Sequence, residues 1–221
     1  MKKLLYISGA AFVISWIAGL LTVPATLEPD AGGAAIIAHY TTDDAAGTIQ
    51  PFFVAAIPGL ALIGLAIAFS NVYCDRRVSA RLRRVIVGTG LAAGGVSLTQ
   101  FILGETLSVQ AGGVSADSAR ALFVVLNDLD TVKIALLALM IAAVGIAARK
   151  TANLRRWLTA GSLAFAPVLA VSGLAFPLNS GVIYALLYLT LPLLLLWVAF
   201  VSVSLARRET RAARRPIAVA A

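Results

Sequence analysis

The chain has 221 residues, of which 60% are hydrophobic and 13% charged, and eighteen Lys and Arg against ten Asp and Glu leave it at +8. Soluble domains are nearer half apolar, with about a quarter of their residues charged, so this composition excludes an ordinary soluble protein and indicates one membrane domain. Sixteen of the basic residues stand in four short clusters at the ends of apolar runs. Their charge is therefore read as helix orientation and attraction to anionic lipid headgroups, not as a nucleic-acid footprint.

Lys2 and Lys3 precede the first apolar run, 4–23. A signal peptide also starts basic, and Val23-Pro24-Ala25 would pass as a cleavage site, but about twenty apolar residues exceed the ~7–15 of a signal core. A retained span is expected. Thr42 followed by Asp43 and Asp44 reads as an N-cap with acids on the first helical turn. The second helix should therefore start several residues ahead of its apolar run, 51–70.

Arg76, Arg77, Arg81, Arg83 and Arg84 close that run beside Cys74. As the single cysteine, Cys74 excludes an internal disulfide and a cysteine-rich metal site, and it reads as a small interfacial residue. The third run, 85–104, is rich in glycine, and Gly90-xxx-Gly94 predicts a face for close helix contact. Ser115, with Asp117 and Arg120 behind it, makes a second capped start. The helix carrying the fourth run, 131–148, should begin there.

Arg149, Lys150, Arg155 and Arg156 separate this run from the fifth, 157–176; the sixth, 182–206, is followed by a basic cytoplasmic tail, 207–221. Each run is long enough, at about 1.5 Å per residue, to cross ~30 Å of hydrocarbon. Pro58, Pro167 and Pro192 fall inside spans and predict kinks. Tyr184, Tyr188 and Trp157 read as interfacial belt anchors.

The expected fold is an all-α, polytopic transmembrane helix bundle of six spans with both termini inside, because basic loops stay in the cytoplasm. Ser79-Ala80-Arg81-Leu82-Arg83-Arg84 aligns with Thr151-Ala152-Asn153-Leu154-Arg155-Arg156. That likeness raises a duplicated two-helix hairpin, with spans two to five as a four-helix core flanked by one and six.

Ionisable groups at membrane depth are costly and are the default functional candidates. Counting about 1.5 Å per residue from the basic ends, Gln100 and Lys133 both lie ~24 Å deep, Asp130 and Tyr188 ~28 Å, and Glu105 ~31 Å. These residues share one layer near the outer leaflet. They suggest a polar pocket of Gln100, Glu105, Asn127, Asp130 and Lys133, closed by Tyr188, with Glu105 or Asp130 as counter-ion to Lys133. The competing reading has Lys133 reaching up to the headgroups and the acids facing water.

His39 is the only histidine, which removes a bis-histidine haem and any multi-histidine metal centre. It is read as solvated, although Glu28, Asp30, Asp43 and Asp44 are near it in sequence. The signatures of zinc hydrolases, serine hydrolases, dithiol redox sites and phosphate loops are all missing. No enzyme activity, cofactor or metal is expected.

Ile36-Ile37-Ala38-His39-Tyr40, Asp128-Leu129-Asp130 and Leu154-Arg155-Arg156-Trp157-Leu158 together resemble a family of uncharacterised actinobacterial six-helix integral membrane proteins, a domain of unknown function. Those relatives usually carry Tyr-Tyr where His39-Tyr40 stands here. The resemblance implies a multi-pass protein of the bacterial plasma membrane and supplies no activity or site residues. Short loops and few buried charges favour an accessory, regulatory or structural membrane subunit, in contact with anionic lipid and with a membrane-protein partner or a second copy. The alternative is binding or transport of a small molecule or lipid through the polar pocket.

Overall fold

The computed structural model describes residues 2–22, 27–42, 49–178 and 180–213, and every regular element among them is helical. Six helices are long and apolar enough to cross a membrane. The first is α1 (Lys2–Thr22), and a short α2 (Gly33–Thr42) follows it. The second span starts with a π-helical turn, Phe52–Ala56, and continues as α3 (Ile57–Val72).

The third and fourth spans are the long helices α4 (Ala80–Gln110) and α5 (Ala116–Thr151). At 36 residues, α5 is about 54 Å long and must extend well past a ~30 Å hydrocarbon layer. The fifth span is broken into α6 (Arg156–Ser172) and a single turn, α7 (Ala175–Leu178), and α8 (Gly181–Ala213) is the sixth.

Helix starts follow the local chemistry. Ser79 and Ser115 take extended backbone angles and accept hydrogen bonds from the amides of Leu82 and Ser118, at 3.3 and 3.2 Å, so each hydroxyl satisfies an amide left free by the first turn. Ser115 thus opens α5 where the sequence places it. Thr42 is the last residue of α2, whose apolar stretch docks Ile36 against Leu107 and Ala119. Asp43, Asp44 and the turn that Thr42 is expected to cap lie outside the described residues.

Each spanning helix packs on its neighbours in chain order, and α8 returns to α1, so the six form a closed ring. This corrects the expected four-helix core, since α1 and α8 are full members of the ring. Gly9 explains the closure: a Cβ there would stand 2.7 Å from the Ser202 hydroxyl, so the backbone of α1 can lie directly against α8. The aligned basic turns are also not local equivalents, because Ser79 opens a helix whereas Thr151 ends one ahead of Ala152 in the left-handed region, φ 51°.

Among the described residues, the basic clusters stand at one end of the ring, away from Arg120 and Lys133. Arg208 donates to the Ala152 carbonyl, which ties α8 to the α5–α6 turn. Burial pushes the Tyr73 phenol well above its usual range. The half of the ring nearest this end is filled: Leu65, Phe69, Met140, Ile141, Val144, Val198 and Val201 are all buried. Phe69 meets Trp197 edge-on at 6.2 Å, and the Trp197 indole donates to Ser162 at 2.8 Å, so three walls of the ring join at its centre.

Gly94 sets the spacing of α3 and α4, because a Cβ there would come within 2.7 Å of the Gly59 carbonyl oxygen. Without a hydrophobic force between helices in lipid, such close approach supplies the dispersion that holds them. Pro167 and Pro192 lie inside α6 and α8. Pro58 instead sits in the first turn of α3, where the π turn ends.

Candidate functional site

The other half of the ring encloses a cavity of about 640 Å³ bounded by all six spans. Its floor is apolar, formed by Phe12, Leu62, Leu137, Leu169 and Leu194. Counted along the helices, these lie about 14–21 Å from the basic clusters, near mid-bilayer. Toward the opposite end the walls become polar, and the cavity reaches the surface at Glu28, Asp30 and Tyr188. His39 and Tyr40 of α2 stand at this end, their rings edge-on at 5.4 Å. Burial raises the Tyr40 phenol above the usual 10.0.

Helix α5 supplies the principal polar wall. Phe123, Asn127, Asp130, Lys133, Ile134 and Leu137 all line the cavity, and their spacing of three or four residues puts them on one helical face. Lys133 is 7% exposed, so it faces the bundle and not the headgroups. Its ammonium lies 2.5 Å from an Asp130 oxygen and donates to Gln100 Oε1 at 2.7 Å; Gln100 Nε2 in turn donates to the Leu126 carbonyl at 3.0 Å. The ammonium also lies 6.0 Å from the centre of the Trp16 ring, within cation–π range.

The second span lines the cavity through its irregular start. The π turn carries an amide from Ile57 to the Phe52 carbonyl, and Pro58 has no N–H to return to Val54. Ser97 of α4 donates to the Ala55 carbonyl at 2.9 Å, which pins the turn to the wall. Such π turns within α-helices are frequent at functional sites. On the far side, α6 stops at Ser172 and α7 brings Phe176 edge-on to Tyr184 at 5.9 Å.

Of the residues expected from sequence, Gln100, Asn127, Asp130, Lys133 and Tyr188 line this one cavity. Glu105 does not. It lies in a separate shallow depression with Ile49, Phe52, Phe53 and Phe101, because five residues beyond Gln100 turn it about 140° round α4. Asp130 alone pairs with Lys133. Arg120, Asp117 and Asp128 are exposed and do not line the cavity.

Tyr184 departs from the belt-anchor reading, since its hydroxyl is buried and it lines the cavity; Trp157 is 56% exposed, as a belt residue would be. Tyr188 does both, lining the cavity while 72% exposed. Trp16, Ser97 and Tyr184 were not singled out as site residues from sequence. A depth count along span one would have found Trp16, at about 20 Å from Lys3, and Tyr184 is one turn from Tyr188 on the same face. No protein-family model, curated protein or solved structure matches the chain.

Proposed function

We propose that this chain binds a small amphiphilic molecule in the outward half of its helix ring, as a receptor or carrier in the plasma membrane with both termini in the cytoplasm. The observation that carries the reading is the buried Lys133–Asp130–Gln100 cluster in the wall of a cavity of about 640 Å³. That volume lies in the range of small-molecule sites, roughly 300–1,000 Å³. An apolar floor with a few convergent polar groups above it is how such sites fix a ligand's orientation. The broken fifth span and the π start of the second resemble the discontinuous helices around midplane sites in carriers.

An accessory or structural subunit would be favoured by a packed interior, and the cavity turns the balance toward binding. The basic end supports the orientation through the positive-inside rule, with attraction of anionic lipid there worth about 1 kcal/mol per basic residue.

Thermal unfolding of the purified chain should be screened against a panel of amphiphiles. Wild type should be stabilised by members that fill the cavity, as expected when a ligand binds only the folded state. A Lys133→Met/Asp130→Asn double variant should respond less. Failure of every compound to shift wild type, or equal shifts in both proteins, would count against the reading. The orientation has its own reporter in Cys74, which is exposed at the basic end. A membrane-impermeant maleimide should label it in cells only after permeabilisation.

A further inference from the structure

Residues lining the cavity carry more hydrogen-bond donors than the protein uses. The Asn127 Nδ2 and the Tyr184 hydroxyl are both buried without a partner among the described residues, and both side chains line the cavity, on α5 and α8. Lys133 carries three N–H groups, and Asp130 and Gln100 engage two of them. Donors left unmet in a desolvated wall are costly. An occupant that brings acceptors removes that cost.

Charge narrows the occupant further. Lys133 and Asp130 cancel each other inside, while Glu28 and Asp30 add negative charge where the cavity reaches the surface. An anion would have to pass this surplus of carboxylate and gain little from an ammonium already paired. A cation would meet the Lys133 ammonium, with the facing Asp130 oxygen already engaged by it, and would leave the Asn127 and Tyr184 hydrogens without an acceptor. The floor of Phe12, Leu62 and Leu194 offers nothing polar.

We infer, resting on the binding reading above, that the occupant is an uncharged molecule with a carbonyl acceptor at one end of an apolar body. The carbonyl lies toward Asn127, Tyr184 and Lys133, and the apolar body points to the floor.

The test uses the full chain in nanodiscs and four brominated compounds of equal chain length, ending in a ketone, a hydrocarbon, an amine or a carboxylate. Binding is read as quenching of tryptophan fluorescence that is lost in Trp16→Phe. The ketone should bind tighter than the hydrocarbon by roughly tenfold. Tyr184→Phe and Asn127→Leu should each weaken the ketone several-fold relative to the hydrocarbon, whose retained binding shows that the variants fold.

Tightest binding by the amine or the carboxylate overturns the inference and leaves the binding reading intact. So does equal binding of ketone and hydrocarbon, the result expected if water satisfies the donors. Absence of Trp16-dependent quenching by any of the four overturns the inference and the binding reading together.

Discussion

The two halves of the ring use the same helices for opposite purposes. Near the basic end, Phe69, Met140 and Trp197 fill the centre, and the indole of Trp197 has its partner in Ser162. Toward the other end the same helices leave about 640 Å³ open, lined in part by polar side chains. The difference lies in helix regularity. The filled half is built from continuous α-helix, whereas the open half contains the π turn of the second span and the break in the fifth. Irregular backbone at membrane depth is tolerated where it is buried in protein or lines a cavity, and here it coincides with the cavity.

The contrast can be tested first with its tryptophans. Trp197→Ala should cost about 3–5 kcal/mol of stability, measured by denaturant titration in mixed micelles, because its partners cannot collapse into the gap. Trp16→Ala should cost about 1 kcal/mol, since the cavity already leaves space beside it. Equal losses would erase the distinction between the halves.

Adjacent glycines on α4 give a sharper test at slightly smaller scale. Gly94→Leu should drive α3 from α4 and cost about 2–3 kcal/mol, whereas Gly95→Leu meets open space and should stay within about 0.5 kcal/mol. Lys133→Met should cost about 1–2 kcal/mol by leaving the Asp130 carboxylate without its cation; Asp130 is 29% exposed, so the loss falls short of that for a fully buried pair. Adding Asp130→Asn should recover most of it in a double-mutant cycle.

The smallest effect concerns α2. Burial raises the Tyr40 phenol, so the unfolded segment ionises first. The stability this contributes is complete below the usual 10.0 and is lost as pH rises through the folded value. Beyond the rise that thiol ionisation itself gives, labelling of an Ala119→Cys probe, buried against Ile36 of α2, in a Cys74→Ser background should accelerate further at alkaline pH, and Tyr40→Phe should remove that further part.

Much of the architecture was legible because apolar runs and basic clusters obey one-dimensional rules. The runs fall within the observed spanning helices to within a residue or two, but the lengths of α4 and α5 were underestimated by hydropathy. Their outer turns, such as Ser108–Gln110 and Ala116–Arg120, are polar or mixed, and only the Ser115 cap announced the extension of α5. Gln100 and Lys133 could be placed at one height because helical rise is constant. Height does not fix azimuth, and that is why Glu105 was grouped with residues on another face of α4. Closure of the ring depends on contacts such as Gly9 with Ser202, nearly two hundred residues apart in sequence, which no local pattern encodes.

The π turn at Phe52–Ala56 stores one residue of slack in the second span. An α-helix advances about 100° per residue, so removing a single residue there would turn Gln50, Pro51 and Val54 away from the cavity while Pro58 and Leu62 kept their places. One wall of the cavity is therefore indexed separately from the helix that supports it. Its lining can be exchanged in steps of one residue, by deletion or by migration of the turn, without rebuilding the filled half beneath.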